Sequence, residues 1–516
     1  MPGDEPRLAD LLGALSLATD LAMGQEPEKA VRAAVVAVAL ARRLGLGEPE
    51  VADAYWTAVM RHLGCTATPH EEGALFGPDD LAMRRVAERT DDAAPRELLG
   101  LLAATGAGAG LRRPAHVVRA LTGRRAVADI LRATCEVGAM LAERLGLGEP
   151  VARALAQSLE RWDGKGQPHG LRGDDLALAA RIAEPATQAV IFHRLGGAEA
   201  ALAVLGRRSG GWFDPAVAEA FRDVGPAVLE RLEAEDPWEL FLEAEPEPIR
   251  RIPDDRIDRV AEAFADMADL KSAFTLGHSS GVAELAATAA ARLGLPDADV
   301  RDLRRAALLH DLGRVGVPIG VWERPGPLRT ADRERVRLHP YHTERVLGRS
   351  EALRPLARVA GMHHERQDGS GYHHGAAAAE TPVAARLLGA ADALHAMTEE
   401  RPHRPARAAE EAAELLGRET AEGRFDPECV RAVLEAAGTR RGRAPRPAWP
   451  AGLSDREVEV LRLVAGGLSN RGVASRLSIS PRTAEHHVQN IYAKIGVSTR
   501  AAAAMFAMGH GLLRDR

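Results

Sequence analysis

The sequence predicts an all-α protein, and three observations lead to that prediction. Ala, Leu, Arg and Glu dominate a composition with only 4% aromatic residues, which favours helix over sheet. Apolar residues recur at helical spacing, as at Val282, Leu285, Ala286 and Ala289, while β-branched alternation is scarce. A long segment also recurs within the chain. Together these features predict two related helical domains in tandem, followed by a smaller helical domain.

Length and composition narrow the class of protein. The 516 residues are 46% hydrophobic and 27% charged, which is ordinary for a globular chain and excludes wholesale disorder. Cys65, Cys135 and Cys429 stand far apart without CxxC spacing, which excludes a disulfide framework or a thiolate zinc site. The acidic N-terminus lacks a signal-peptide pattern, and no uncharged apolar run approaches a spanning length. We expect a cytoplasmic protein without membrane contact.

Composition breaks divide the chain into domains and linkers. Acidic, proline-rich residues indicate a linker over 236–257, and basic, proline-rich residues indicate a second over 439–451. The predicted domains are 1–235, 258–438 and 452–516. The net charge of −6 is unevenly spread, because residues 440–516 hold 13 Lys and Arg against 5 acids. A basic domain attached to an otherwise acidic chain is typical of a nucleic-acid-binding domain joined to a domain with another function.

The first two predicted domains resemble each other in sequence. Residues 159–170 and 364–375 share the pattern Glu-Arg-x-Asp-Gly-x-Gly, and an Ala-Ala-Arg segment follows each at the same offset. Further upstream, Arg61-His-Leu-Gly stands where His310-Asp-Leu-Gly stands in the second copy. Matches in the same order along the chain predict a duplicated helical domain.

The second copy concentrates side chains that bind metal ions. Seven of them fall within 115 positions: His278, His310, Asp311, His339, His363, His364 and Asp392. Imidazole together with carboxylate suits a divalent ion such as iron, and an adjacent His-Asp pair can bridge two ions. A two-metal centre of this kind can activate water and neutralise a phosphoryl oxygen.

These residues lie in motifs that resemble the HD-GYP subgroup of HD-type metal-dependent phosphohydrolases, over about residues 260–435. The motifs are His278-Ser, 310–318 (His-Asp-Leu-Gly-Arg-Val-Gly-Val-Pro), 325–328, His339-Pro, 363–372, Ala391-Asp and Arg401-Pro. The resemblance implies a helical bundle with a di-metal centre, of iron or manganese in preference to zinc. It implies hydrolysis of cyclic di-GMP or a related cyclic nucleotide. It also implies the seven ligands named above, with Asp311 bridging the two ions.

Three positions depart from the family pattern. Gly371-Tyr372-His373 stands in place of the signature Gly-Tyr-Pro. Phe274 stands where some members place a glutamate, so no third metal is expected. Arg314 replaces the lysine that lies near the scissile phosphate in the family; arginine can clamp a phosphate but cannot act as a protonation switch. We predict Asp311 and Arg314 as the catalytic residues and leave the substrate open.

The first copy has lost this chemistry. At the equivalent positions it carries Lys29, Arg61, His62, a residue near Thr134, Ser158, Leu159 and Thr187. This set, with its ammonium, guanidinium, hydroxyl and aliphatic groups, cannot rebuild a hydrolytic metal site. We therefore interpret residues 1–235 as a degenerate domain used for sensing or dimerisation. The alternative is a domain that only packs against the second copy.

The C-terminal segment predicts a helix-turn-helix. Ser454 caps a first helix, Ser469 begins a second, and Ser480-Pro481 opens a third. The second and third of these helices form the motif, and its second helix, which Ser480-Pro481 opens, lies in the major groove of DNA. The exposed face of that helix offers groups for phosphates and base edges, namely Arg482, Thr483, Glu485, His486, His487, Asn490 and Lys494. Residues 452–512 are similar to the LuxR-type C-terminal DNA-binding domain, which implies a four-helix unit that binds DNA as a dimer.

We predict a transcriptional regulator that binds double-stranded DNA and is modulated by a metal-binding domain. That domain would bind or hydrolyse a phosphorylated small molecule such as a cyclic dinucleotide. A homodimer is expected, because one helix-turn-helix covers a single half-site. The alternative is primarily a cyclic-nucleotide phosphodiesterase with an accessory DNA-binding tail. A third interpretation leaves the metal structural, with no nucleotide.

Overall fold

The structure of the protein, a computed structural model, describes residues 5–91, 93–106, 109–439 and 449–513. The chain is 69% helical, and no strand forms among these residues. The predicted all-α class is therefore confirmed. The chain divides into two compact units, Met1–Ile257 and Asp258–Arg516. Most of the linker predicted over 439–451 lies outside the described residues.

The described part of the first unit contains twelve α-helices. They are α1 (Leu8–Ala22), α2 (Lys29–Arg43), α3 (Glu48–Met60), α4 (Pro69–Phe76), α5 (Asp80–Ala87), α6 (Pro95–Ala104), α7 (Arg113–Thr122), α8 (Arg124–Arg144), α9 (Glu149–Ala156), α10 (Leu178–Arg208), α11 (Pro215–Ala234) and α12 (Pro237–Glu243). Three 3₁₀ helices accompany them, Leu63–Thr66, Gly110–Arg112 and Gly173–Asp175. Nearly every residue of α1 is buried, while α2, α3 and α10 pack against one another.

The second unit begins with ten α-helices in its described part. They are α13 (Asp254–Asp269), α14 (His278–Arg292), α15 (Asp297–Leu309), α16 (Ile319–Trp322), α17 (Thr330–Arg337), α18 (His339–Arg349), α19 (Arg354–Gly361), α20 (Val383–Thr398), α21 (Ala409–Ala421) and α22 (Pro427–Thr439). A 3₁₀ helix, Leu312–Gly316, follows α15. Helix α14 packs against α15, α20 and α22, and this packing gives the unit its core.

The two units repeat one series of elements. Helices α2 and α14 have 15 residues each, and α3 and α15 have 13 each. Gly64 and Gly313 follow at the same place, and a Cβ on either would lie 2.0 Å from a carbonyl oxygen, that of Thr134 or His339. Only glycine allows this approach of two backbones. The shared contact supports the duplication and the alignment of Thr134 with His339.

The first unit carries an insertion that the second unit lacks. Between Gly64 and Thr134 it places four helices, α4 to α7, whereas only the short α16 and α17 separate Gly313 from His339. None of the residues of α6 is buried, and in α7 only His116 is buried. The insertion is therefore a loosely packed addition to the duplicated scaffold.

The acidic segment predicted as a linker over 236–257 differs from that prediction. Residues 237–243 form α12, which buries Trp238, Leu240 and Phe241. The phenol of Tyr55 donates a hydrogen bond to the carbonyl of Phe241 (3.1 Å), and their rings stack with centroids 5.0 Å apart. Three buried apolar side chains thus anchor the segment, although acids and prolines dominate its composition.

One described helix, α10, is long and apolar enough to cross a membrane by length and composition alone. Its most apolar window has a mean hydropathy of 1.3 and is 33% buried within the structure. The backbone leaves helical geometry at Gly196 and Gly197. The sequence pattern had not singled this segment out.

The C-terminal part of the second unit forms a core of its own. Its helices are α23 (Asp455–Ala465), α24 (Asn470–Leu477), α25 (Pro481–Ile495) and α26 (Arg500–Gly509), preceded by the 3₁₀ helix Pro450–Gly452. The predicted caps are present: the hydroxyls of Ser454, Ser469 and Ser480 accept backbone hydrogen bonds at the starts of three helices. Val458, Leu461, Val473, Val488 and Ile491 meet in the core.

Candidate metal centre and nucleic-acid interface

Helix ends bring the seven predicted ligands of the second unit together. His278 and His339 open α14 and α18, the pair His310–Asp311 follows α15, the pair His363–His364 follows α19, and Asp392 lies within α20. Six of the seven side chains are at least nine-tenths buried, and His364 is 21% exposed. Burial of so many titratable groups is costly unless they bind a partner.

The ligand atoms form two neighbouring groups. In one, Nε2 of His278 lies 3.2 Å from Oδ1 of Asp392, and His310 completes the set. In the other, His339, His363 and His364 converge, with Nε2 of His339 and Nε2 of His363 3.2 Å apart. Within each group the ligand atoms lie within 4.8 Å of one another.

The carboxylate of Asp311 lies between the two groups. Its Oδ1 is 3.3 Å from Nε2 of His339 and 3.7 Å from Nε2 of His363. Its Oδ2 is 3.5 Å from Nε2 of His310 and 3.8 Å from Nε2 of His278. One carboxylate oxygen therefore faces each group, as a bridging ligand requires.

Backbone carbonyls hold three of the imidazoles in one orientation. Nδ1 of His310, His339 and His363 donates to the carbonyl three residues earlier, at 2.7, 2.6 and 2.6 Å. In a neutral ring with this hydrogen bond, Nε2 is the nitrogen without a proton and is the atom that a metal ion binds. Burial, together with the neighbouring imidazoles, lowers the pKa of His363 to about 3, which keeps this ring neutral.

The donor set fits a divalent metal. Nε2 of His339 and Nε2 of His363 face each other at 3.2 Å, while Nδ1 of each ring lies against a backbone carbonyl. Nε2 of His310 is buried without a hydrogen-bond partner among the described residues. A cation would satisfy these lone pairs and the facing carboxylates at once.

Glu399 is a site residue that the sequence pattern missed. Its Oε2 accepts a hydrogen bond from Nδ1 of His278 (2.8 Å), and Arg401 donates to the same oxygen (2.7 Å). A carboxylate behind a ligating imidazole orients it and raises its basicity. Glu399 is 121 residues from His278 in the chain, so sequence spacing gave no signal of the pair.

Arg314 lies beside the bridging carboxylate, as the resemblance implies. Its guanidinium donates to Oδ2 of Asp311 (2.7 Å) and stacks 4.1 Å from the ring centroid of Trp322. Burial opposes ionisation of Asp311, but Arg314 and the imidazoles outweigh it and hold the pKa of this carboxyl well below its usual range. A fixed positive charge therefore stands at the edge of the ligand cluster.

A cavity of about 280 Å³ opens over this cluster. Five of the seven predicted ligands, His278, Asp311, His339, His364 and Asp392, line it together with Arg314. Further cationic and aromatic groups complete the wall: Arg401, His403, Arg404, Trp322 and Tyr372. This lining suits a phosphate ester with planar rings.

The loop with the altered signature keeps the turn of the first copy. Glu365 accepts hydrogen bonds from the backbone nitrogens of His374 (2.8 Å) and Ala376 (2.9 Å). Glu160 does the same for two residues of the first copy, at 2.7 and 3.1 Å. The proline-to-histidine change therefore leaves the scaffold intact. It brings His373 and His374 to Glu344 instead, 3.3 and 2.8 Å from its Oε2.

Ion pairs occupy the equivalent place in the first unit. Nζ of Lys29 lies 2.5 Å from Oε1 of Glu88, and Nε2 of His62 lies 2.9 Å from the same oxygen. Arg61 pairs with Glu184. No group able to hold a metal occurs among the described residues of this unit. The loss of the metal site from this unit stays a prediction.

The helix-turn-helix has the predicted order of elements. Helices α24 and α25 are joined by a tight turn with Ser478 in the left-handed conformation, φ 54°. Ala484, Val488 and Ile491 anchor α25 in the core. Most of the predicted contact residues are exposed and His487 is half-buried: Arg482, Thr483, Glu485, His486, His487, Asn490 and Lys494.

Lys494 also has a partner within its domain. Its ammonium donates to Oε2 of Glu457 (2.7 Å) and to the carbonyl of Gly452 (3.1 Å). The pair joins α25 to the start of α23. The contact of Lys494 with a phosphate stays a prediction, and the lysine has this structural role besides.

Comparison with known proteins agrees with these observations. The HD domain model matches residues 124–217 and 262–429, and the model of the luxR family of bacterial regulatory proteins matches 451–507. The 3′3′-cGAMP-specific phosphodiesterase 3 of Vibrio cholerae is 31% identical over 439 residues, 83% of this chain and 94% of that protein. The cyclic di-GMP phosphodiesterase PA4108 of Pseudomonas aeruginosa is 36% identical over 183 residues, 35% of this chain and 44% of that protein.

A solved structure extends the likeness across both units. The crystal structure of the V. cholerae cyclic GMP-AMP-specific phosphodiesterase V-cGAP3 aligns with a TM-score of 0.59 at 28% identity. It covers 84% of this chain and 98% of that one. The predictions of fold class, of metal-dependent phosphohydrolase chemistry and of DNA binding through a LuxR-type domain are confirmed. The chain belongs to the HD-domain metal-dependent phosphohydrolases of HD-GYP type and carries a C-terminal DNA-binding domain of the luxR family.

Proposed function

We propose that this regulator hydrolyses a 3′,3′-cyclic dinucleotide at a two-metal centre in its second HD domain, over about residues 258–438. The observation that carries the proposal is the carboxylate of Asp311, which directs one oxygen toward each of two ligand groups. Ligands of nitrogen and oxygen without thiolate favour iron or manganese.

The side chains around the centre have separable tasks in this reaction. Metals bound there supply charge neutralisation and activation of the attacking water. Arg314, stacked on Trp322 and hydrogen-bonded to Asp311, is held where it can bind an equatorial phosphate oxygen. The water oxygen attacks phosphorus, the bond from phosphorus to the ribose oxygen breaks, and that oxygen takes up a proton. The product is a linear dinucleotide.

The cavity supports a cyclic dinucleotide as the substrate class. Such a molecule presents two phosphates and two planar bases, and the wall offers cations and aromatic faces, including Arg401, Arg404 and Tyr372. Relatives that match this chain are named for 3′3′-cGAMP or for cyclic di-GMP. Both compounds belong to one chemical class, and hydrolysis rates distinguish them.

The test is hydrolysis of 3′3′-cGAMP and of cyclic di-GMP by the full chain, followed by chromatography of the linear products. We expect activity that chelation removes and that iron or manganese restores. Asp311→Asn should lower the rate about 1000-fold or more, since it disturbs both ligand groups. Ser158→Ala, at the position of the first copy that corresponds to His363, is the matched control and should keep full activity.

The outcomes separate the alternatives. Stoichiometric metal without hydrolysis of either compound would support a purely structural metal and contradict the proposal. Hydrolysis without any effect of the nucleotide on DNA affinity would favour an enzyme with an accessory DNA-binding tail. A change of several-fold in DNA affinity when the site is occupied supports a regulator, because coupling between sites is reciprocal.

We also propose that the protein acts in the cytoplasm as a homodimer on double-stranded DNA. A single helix-turn-helix covers one half-site, so a symmetric operator needs two copies. Arg482→Ala in the full chain should reduce the slope of affinity against salt by about one, since one phosphate contact is lost. His510→Ala, near the end of α26, is the control. A monomer at concentrations that saturate the operator would contradict the dimer.

A further inference from the structure

The first unit contains a cavity at the place where the second unit holds its metal ligands. Its volume is about 290 Å³, close to that of the catalytic cavity, and Arg61, His62, Thr134 and Ser158 line it. These are the positions that correspond to metal ligands in the second unit. The loss of the ligands therefore left a cavity in place of a closed core.

The walls of this cavity are largely apolar. The segments after α1 and α10 contribute Met23 and Trp212, and helices α4, α5, α6 and α8 contribute Phe76, Met83, Leu101 and Ile130. Phe76, Met83 and Leu101 come from the segment between Gly64 and Thr134, in which the first unit has four helices and the second unit has two. Small-molecule sites are concave, mostly apolar and closed on several sides in this way.

The charged side chains of the lining already have partners within the protein. Arg84 forms a bidentate pair with Glu72, at 2.8 and 2.9 Å. Arg161 donates to Asp91 (2.8 Å) and to Asp163 (3.2 Å). Arg61 pairs with Glu184 and Glu88 with Lys29, as described above. A charged ligand would be desolvated without gaining a free counter-charge, which disfavours anions and cations alike.

We propose that this cavity is a binding site for an uncharged, predominantly apolar small molecule. The ligand would replace water against the apolar wall, and neutral groups such as Thr134 and Gln167 at the lining would orient it. Helix α6, which buries none of its residues, is the part of the wall that can yield to admit a ligand. The site is independent of the proposed hydrolysis, because it lies in the other unit.

Two matched probes test the proposal on the full chain. N-phenyl-1-naphthylamine is neutral and apolar, and 8-anilino-1-naphthalenesulfonate has the same ring system with an added sulfonate. Equilibrium dialysis should show one saturable site per chain for the neutral probe. The sulfonate should bind at least about tenfold more weakly, since it meets no unpaired cation.

Cavity-filling variants locate the site. Val127→Phe and Thr134→Phe, both at half-buried lining positions of α8, should each lower affinity for the neutral probe at least about tenfold. Ala126→Phe, at an exposed position of the same helix, should leave it unchanged. Thermal unfolding measurements show whether each variant is folded. Two cavity-filling variants are used so that the test still holds if one of them does not fold.

Three results would overturn the proposal. The first is no saturable binding of the neutral probe by the full chain. The second is equal binding by the wild type and by both folded filling variants. The third is preference for the sulfonate, which would show that an unpaired cation dominates the cavity. If Asp311→Asn abolished binding of the neutral probe and the cavity-filling variants kept it, the probe would bind in the cavity of the second unit. That result would also overturn the proposal.

Discussion

The two HD units share a scaffold and differ in how charge is balanced at its centre. In the second unit, two carboxylates, Asp311 and Asp392, face a cluster of buried imidazoles, and this donor set fits a bound cation. In the first unit, Lys29 and Arg61 provide cations of the chain itself, and Glu88 and Glu184 neutralise them. Fixed ion pairs therefore stand in the first unit where the second unit carries its predicted ligands.

Glu88 marks a further difference between the two units. It follows α5, and it pairs with both Lys29 and His62. The carboxylate that neutralises the centre therefore comes from the segment between Gly64 and Thr134, where the first unit has four helices and the second unit has two. Leu101 of α6, in the same segment, adds to the apolar wall of the cavity. The two units thus differ in this segment as well as at the positions of the predicted ligands.

The largest effect that would test this comparison is on stability. Lys29→Met leaves Glu88 buried without its ammonium partner and should destabilise the first unit by about 3–5 kcal/mol. Hydrogen exchange followed by mass spectrometry resolves the two units, and only peptides of the first should lose protection. The double variant Lys29→Met/Glu88→Leu should regain most of the loss. If the single variant is as stable as the wild type, the ion pair does not hold this centre together.

A smaller effect concerns the orientation of a metal ligand. Glu399→Gln should weaken metal affinity about 10–100-fold, because His278 loses the carboxylate that orients its ring. Glu400→Gln, at the exposed neighbouring position, is the control. Metal titration of the apo protein measures the change. Equal affinities in the two variants would contradict the role of Glu399.

The pH dependence of the first unit follows from His62. Burial and Lys29 lower the pKa of His62 to about 3, although Glu88 opposes them. In the unfolded chain a histidine titrates near 6.5, so between pH 6.5 and 3 the unfolded state binds more protons. The contribution of His62 to the stability of the first unit should therefore fall as the pH falls through this window, by up to about 1.4 kcal/mol per pH unit. Asp20 contributes in the opposite direction, because burial raises its pKa to about 7.

Hydrogen exchange at pH 7, 6 and 5, corrected for intrinsic rates, measures this dependence. His62→Gln should remove the His62 contribution, so that acid no longer destabilises the unit in this window, whereas His169→Gln, in an exposed loop, should leave the pH dependence as it is in the wild type. A steeper or unchanged slope in His62→Gln would show that another group controls the pH dependence.

The smallest expected effect concerns what the two units share. Glu160→Gln and Glu365→Gln each weaken the same pair of backbone hydrogen bonds and should cost about 1–2 kcal/mol in their own units. Only Glu365→Gln should raise KM for a cyclic dinucleotide, because Tyr372 of its loop lines the catalytic cavity. If both variants had a similar KM, the loop that contains Tyr372 would have no role in substrate binding.

Local patterns predicted much of the site and of the DNA-binding domain. The seven predicted ligands were named from the sequence motifs and lie close together in the structure, and Ser454, Ser469 and Ser480 cap the helices that their positions predict. The average composition of residues 236–257 is acidic and rich in proline, and it gave no sign that Trp238, Leu240 and Phe241 are buried on a helix. Glu399 escaped because its partner, His278, lies far away in the chain.

The sequence by itself determined the helical class, the duplication, the ligand types and the DNA-binding module, since each is written in spacing, capping residues or side-chain chemistry. Only the tertiary structure decided which charges meet. Glu88 pairs with Lys29, which is 59 positions away in the chain. The two oxygens of Asp311 face two groups of predicted ligands, and these ligands lie on five helices or directly after them. The interaction between charges depends on distance and burial, and both are set by packing that no local pattern encodes.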